Sequence, residues 1–139
     1  MILPILLSLI FFILGIIHFN WVIGGTFGFE ASLPTKESGE RVLNPKKIDS
    51  AIVALGLTVF GFFYVLESGL ITYELPKWLL KYAKWIIPSI FILRALGDFK
   101  YVGFFKRIKQ TKFGKLDTIF FSPLCLIIGS IGLIIALTK

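Results

Sequence analysis

The sequence predicts an all-α protein, a polytopic integral membrane four-helix bundle that forms one domain, residues 1–139. Hydrophobic residues make up 56% of the chain and charged residues 17%, with a mean hydropathy of +0.87. An ordinary soluble domain has about 25% charged residues. The apolar residues are also gathered into four long blocks, each close to the ~20 residues that a transmembrane helix needs.

The four spans are expected at about residues 2–22, 49–71, 78–97 and 119–137. No basic residues and no small-residue cleavage signal accompany the first block, so we interpret it as a retained span and not a removable signal peptide. Asp49 or Ser50 can cap the second span, and its small residues Ala54, Gly56 and Gly61 suit close helix packing. Pro88 is expected to kink the third.

The basic residues predict the orientation in the cell membrane. Linkers 23–48 and 98–118 carry four and six Lys or Arg residues, whereas the opposite side carries four: Lys77, Lys81, Lys84 and Lys139. Cytoplasmic loops are the ones enriched in basic residues. Both linkers are therefore expected in the cytoplasm and both termini outside. This distribution also explains the net charge of +7 better than nucleic-acid binding does.

The segment Phe104–Leu116 alternates apolar and basic residues, which is typical of a segment that lies on an anionic leaflet. We therefore expect membrane lipids as its partners. The basic residues expected at the lipid surface are Lys106, Arg107, Lys109, Lys112 and Lys115.

Charged residues within or beside an apolar span are costly and frequently functional. Arg94 and Asp98 are four residues apart, so they can pair along one helix face. One interpretation is a structural ion pair that lets a charged helix lie in lipid. The other is a clamp in which Arg94 binds a phosphate or carboxylate and Asp98 orients it.

With the predicted topology, the ends of spans one and three and the start of span four share the cytoplasmic membrane boundary. The side chains expected to bind a ligand there are Arg94, Asp98, His18, Asp117 and Trp21. His18 fits a hydrogen-bonded packing residue, or a general base oriented by Asp98 or Asp117. Trp21 fits an interface anchor as well as a ligand platform.

Other chemistry has little support in the sequence. One histidine without a second histidine or cysteine nearby is poor for a transition metal, and no cofactor is predicted. The single cysteine, Cys125, excludes an internal disulfide. A Gly-rich phosphate loop, a zinc signature and a serine–histidine elbow are all missing, and the GGTFG string at 24–28 is too short for a nucleotide fingerprint.

Several strings resemble a known family. They are HFNWVIGG at 18–25, RALGDFKYVGFFKR at 94–107, LDT at 116–118 and SPLC at 122–125. Together they resemble the small bacterial membrane proteins grouped as domain of unknown function 3995. The resemblance implies a four-helix protein of the bacterial inner membrane. It implies no activity.

Three functions stay open from the sequence. The first is a protein that holds a lipid headgroup or small anionic ligand through the polar cluster at the cytoplasmic boundary. The second is a membrane-embedded enzyme for a lipid or apolar small molecule, with His18 as acid or base and Asp98 as its orienter. The third is a subunit of a proton-coupled transporter or channel, in which Glu67 and Asp98 mark two ends of a path. A homo-oligomer or a partner membrane protein is compatible with each.

Overall fold

The computed structural model describes residues 2–26, 29, 33, 36, 38, 40, 46–71, 74–97 and 101–138. Within these residues every regular element is a helix, as the sequence predicts. The elements are α1 (Ile2–Val22), α2 (Lys47–Ser68), α3 (Lys77–Leu96), α4 (Lys112–Leu116), one π-helical turn (Asp117–Phe121) and α5 (Ser122–Thr138). The last three run on as one continuous C-terminal helix, Lys112–Thr138.

The chain divides into two compact units. The first contains Met1–Phe27, Pro45–Ile87 and Ile131–Lys139, and the second contains Gly28–Asn44 and Pro88–Ser130. The first unit is built on α1 and α2. The second unit holds the C-terminal half of α3, the loop that follows it and most of the C-terminal helix.

Helices α1 and α2 pack closely through aromatic and small residues. The Phe11 ring stacks on the Tyr64 ring with centroids 5.8 Å apart. A Cβ built on Gly61 would lie 2.6 Å from the Phe12 ring, so a larger residue there requires the ring to move. Ala54 is buried as well. By contrast, no described atom lies within 4 Å of a Cβ at Gly56, so Gly56 lies outside this contact.

The start of α2 differs from the prediction that Asp49 or Ser50 is the cap. The helix begins at Lys47, and the backbone N–H of Lys46 donates to the Asp49 carboxylate at 2.8 Å. Asp49 therefore stabilises the start from inside the first turn, as the acidic half of a capping box does. At the other end, Gly69 adopts a left-handed φ of 84° and ends the helix.

In the second unit, α3 and α5 lie in close contact. A Cβ built on Gly129 would lie 2.5 Å from Ile92 Cδ1 and 3.1 Å from the carbonyl oxygen of Pro88. Pro88 is fully buried. Because Gly129 has no side chain, α3 and α5 can approach each other this closely.

Three described helices are long and apolar enough to cross a membrane: α1, α2 and the C-terminal helix. This agrees with a multi-pass membrane protein. Helix α3 coincides with the predicted third span to within one residue at each end. It carries four basic residues, at 77, 81, 84 and 94, and for that reason is not among the three.

Candidate functional site

The polar site of the second unit is centred on Asp117, whose side chain is completely buried. Its Oδ2 accepts hydrogen bonds from the Gly103 backbone N–H at 2.7 Å and from the Ser122 hydroxyl at 3.0 Å. Lys106 Nζ lies 3.2 Å from the same oxygen. The other oxygen, Oδ1, lies 3.1 Å from Arg94 Nη2. One buried carboxylate therefore joins two cations, and we call Arg94, Lys106 and Asp117 the charge cluster.

The location of Lys106 differs from the sequence prediction, which puts this residue at the lipid surface. Its side chain is buried, with 1% of the residue exposed. Besides facing Asp117, its ammonium group donates to the Gly103 carbonyl at 3.1 Å and to the Thr118 hydroxyl. The ammonium group thus makes two hydrogen bonds and one ion pair. Burial of this charge is tolerated because it is both paired and hydrogen-bonded.

The π-helical turn explains how Asp117 and Ser122 meet. Residues five apart point about 140° away from each other on an α-helix, at ~100° per residue. In the wider turn the Ser122 N–H donates to the Asp117 carbonyl, and the two side chains lie on one face. Pro123 lacks the N–H that an α-helix needs at that point, which favours the wider turn just before it. Single π turns are frequent at functional sites.

The loop after α3 positions the Gly103 backbone N–H, which donates to Asp117. Gly97 has a φ of 85° and Gly103 a φ of 92°, which side chains other than glycine rarely adopt. A Cβ on either glycine would overlap the backbone of the other end of the loop. The Phe104 N–H donates to the Ala95 carbonyl at 2.8 Å. The two glycines thus close the loop and hold the Gly103 N–H against Asp117.

Arg94 lies at the exposed edge of the charge cluster, with 33% of its side chain exposed. Its Nη2 faces Asp117, but its Nη1 is buried and has no hydrogen-bond partner among the described residues. A buried guanidinium nitrogen without an acceptor is unfavourable. The cluster also carries two positive charges and one negative charge. Both features suit an anion as the missing partner.

Helix α3 ends at Leu96, and Gly97 turns the chain into the left-handed region. Asp98, the expected partner of Arg94 on one helix face, lies outside the described residues. The carboxylate that Arg94 meets within them is Asp117, which is 23 positions further along the chain.

His18 and Trp21 belong to the first unit, near the end of α1. His18 Nδ1 lies 2.8 Å from the Leu14 carbonyl oxygen, which only accepts, so Nδ1 carries the proton of this hydrogen bond. The His18 and Trp21 rings are 4.4 Å apart at the centroids and tilted by 55°. The ring is therefore oriented by its own helix and not by a carboxylate at Nδ1. Glu67 also belongs to this unit and is half-buried in the last turn of α2.

The other basic residues of the predicted lipid-facing segment are exposed. They are Arg107, Lys109, Lys112 and Lys115. Helix α4 begins among them, where Thr111 caps it by accepting a hydrogen bond from the Gly114 N–H at 2.9 Å. Across the described part of the chain, no group of three His, Cys, Asp or Glu residues is placed to hold a metal ion.

Sequence reasoning missed four contributors: Lys106, Thr118, Ser122 and the Gly103 N–H. Two weak signals were present. Ser122 and Pro123 follow Asp117 by five and six positions, a spacing that a π turn converts into a contact. The paired glycines at 97 and 103 flank the loop that carries the donor.

Comparisons with known proteins give one match. The family model described as protein of unknown function (DUF3995) matches residues 11–131. No curated protein matches the chain, and no solved structure does. The match covers most of the chain, including the whole charge cluster. The chain therefore belongs to the DUF3995 family.

Proposed function

We propose that this protein is a four-span membrane protein that binds an anionic group at Arg94. The group is a lipid headgroup or a small anion at the cytoplasmic side of the cell membrane. The observation that carries the proposal is the buried Nη1 of Arg94, which has no hydrogen-bond partner among the described residues. Arginine is well suited to phosphate and carboxylate because its planar fork donates two parallel hydrogen bonds.

Asp117 has an orienting role in this proposal. Its Oδ1 lies 3.1 Å from Nη2, and this ion pair holds the guanidinium group beside the buried carboxylate. Because Nη1 itself is covered, an incoming anion has to rotate the outer part of the Arg94 side chain or move a neighbouring group. The one-third exposure of that side chain leaves a route from outside the protein.

The exposed basic residues support an anionic leaflet as the surroundings of the site. Arg107, Lys109, Lys112 and Lys115 are all exposed and lie in the same stretch of chain as Lys106. Basic residues near an anionic leaflet each contribute about 1 kcal/mol of attraction. They raise the local concentration of anionic headgroups, whereas Arg94 supplies the specific contact.

The test is lipid retention by Arg94→Gln, with Arg107→Gln as the matched control. Both changes remove one arginine charge from the same unit, but Arg107 is exposed. Loss of a charged hydrogen bond of roughly 1.5–3 kcal/mol should lower anionic lipid retention about 10- to 100-fold in Arg94→Gln. Arg107→Gln should change it by about fivefold at most, because one exposed basic residue contributes about 1 kcal/mol. Quantitative mass spectrometry of lipid that co-purifies with each variant measures this.

Arg94→Lys serves as a second variant because it keeps the charge that Asp117 faces. It should fold as the natural protein does and retain lipid to an intermediate degree. Thermal unfolding of every variant in the same detergent separates loss of lipid from loss of fold. Equal retention of anionic lipid by Arg94→Gln and the natural protein would refute the proposal.

A further inference from the structure

We infer that the anion bound at Arg94 carries a single negative charge, as a phosphodiester does, and that the charge cluster discriminates against doubly charged phosphomonoesters. This inference rests on the proposed function and names the class of its ligand. It follows from the formal charges of the cluster and from the number of donors that remain for a ligand.

The formal charges sum to plus one. Arg94 and Lys106 each carry a positive charge and Asp117 carries a negative charge, with ion-pair distances of 3.1 and 3.2 Å. The Lys106 and Asp117 side chains are both fully buried, so neither charge is compensated by water. A single negative charge therefore neutralises the cluster.

The donors are also limited. The Lys106 ammonium group donates to Gly103 and Thr118 and forms an ion pair with Asp117. The Gly103 N–H and the Ser122 hydroxyl both donate to Asp117. Among the described groups of the cluster, Arg94 Nη1 is the one buried nitrogen without a hydrogen-bond acceptor, and Asp117 Oδ1 is the one buried oxygen without a donor.

A second negative charge on the ligand would therefore be unmatched. It would lie near the buried Asp117 carboxylate, and like charges brought together in a region of low dielectric constant repel strongly. The exposed Arg107, Lys109, Lys112 and Lys115 compensate it poorly because water and salt screen exposed charges. One charge binds to Arg94 favourably, and a second charge opposes binding.

The experiment uses the natural protein in phosphatidylcholine nanodiscs with added phosphatidylglycerol or phosphatidic acid. Phosphatidylglycerol carries one charge throughout. A phosphomonoester has a second pKa of about 6, so phosphatidic acid carries mainly one charge at pH 5 and mainly two at pH 8. Native mass spectrometry counts the bound lipid at each pH. Because only the ligand is altered, folding of a variant is not in question.

The two lipids should bind with similar affinity at pH 5. At pH 8, phosphatidic acid should bind about tenfold more weakly than phosphatidylglycerol, whose own affinity should stay constant. The phosphatidylglycerol measurement controls for any titration of the protein. Phosphatidic acid that binds at pH 8 as tightly as phosphatidylglycerol, or more tightly, overturns the inference.

Soluble probes identify the source of the anion. Glycerophosphoglycerol and glycerol 3-phosphate repeat the comparison of one and two charges without acyl chains. Binding of the soluble diester indicates a free anion as ligand, and binding of the lipids alone indicates a headgroup. In both cases preference for the single charge supports the inference. If binding depends on Arg94 but singly and doubly charged anions bind equally well, this inference is wrong and the proposed function stands. If the anion binds equally well without Arg94, the proposed function is wrong.

Discussion

At Asp117 two hydrogen-bond donors and two cations converge on one buried carboxylate, and each comes from a different position in the chain. The donors are the Gly103 N–H and the Ser122 hydroxyl, and the cations are Lys106 and Arg94. A buried carboxylate is stable only when its charge is compensated and hydrogen-bonded. The cluster therefore fixes the geometry of the loop after α3 as well as that of Arg94.

Lys106→Met tests this coupling at the residue level. The change leaves a buried carboxylate with one cation fewer and two acceptors without their donor, so it should lower the free energy of unfolding by about 3 kcal/mol. Lys109→Met removes the same charge at an exposed position and should change it by less than about 0.5 kcal/mol. Thermal or denaturant unfolding in detergent measures both. Equal effects would mean that Lys106 is not buried.

The sequence placed Arg94 and Asp117 in one site but did not predict their ion pair. Helix α3 ends before Gly97, which has a left-handed φ. Glycine permits that conformation without requiring it. Lys106 was misjudged for a related reason, because a lysine among alternating apolar residues is usually exposed.

At the level of elements, the apolar blocks predicted the helices well. Helix α1 spans the predicted residues 2–22, and α3 differs from 78–97 by one residue at each end. The C-terminal helix begins at Lys112, seven residues before the predicted start, because its first turns are polar and lie outside the apolar block. The π turn within it has no hydrophobic period of its own, and Pro123 is its main sequence signal.

Packing of α1 on α2 gives a matched pair of variants. Gly61→Val places a side chain where the Phe12 ring lies 2.6 Å from the first carbon, whereas Gly56→Val has no described atom within 4 Å. Both introduce the same residue into the same helix, so their helix propensities cancel. Overpacking should make Gly61→Val less stable than Gly56→Val by about 1–3 kcal/mol. Comparable unfolding temperatures would contradict the close approach of the two helices.

The topology of the whole molecule depends on whether α3 crosses the membrane. With α1, α2 and the C-terminal helix as the spans, an odd number of crossings puts the two termini on opposite sides of the membrane. If α3 crosses as well, both termini share a side. Its apolar stretch between Lys84 and Arg94 is nine residues, about 14 Å of helix. The hydrocarbon core is about 30 Å thick.

Helix α3 can nevertheless cross if its charged ends are accommodated. Lys77, Lys81 and Lys84 all lie in its first eight residues, where long lysine side chains reach the headgroups. At the other end, the ion pair with the buried Asp117 lowers the cost of placing Arg94 below the membrane surface. We therefore expect four crossings, with the arginine kept in the membrane by the charge cluster.

Reporter fusions distinguish the two topologies. Alkaline phosphatase, active only outside the cytoplasm, should be active after Lys139 and inactive after Gln110, while a fluorescent protein that folds in the cytoplasm should give the reverse. An epitope at the N-terminus should be cleaved by protease added to cells with an opened outer membrane. A protected epitope together with active phosphatase after Lys139 would put the termini on opposite sides. Helix α3 would then lie along the surface, and Arg94 would meet its anion from the headgroup layer and not from within the membrane.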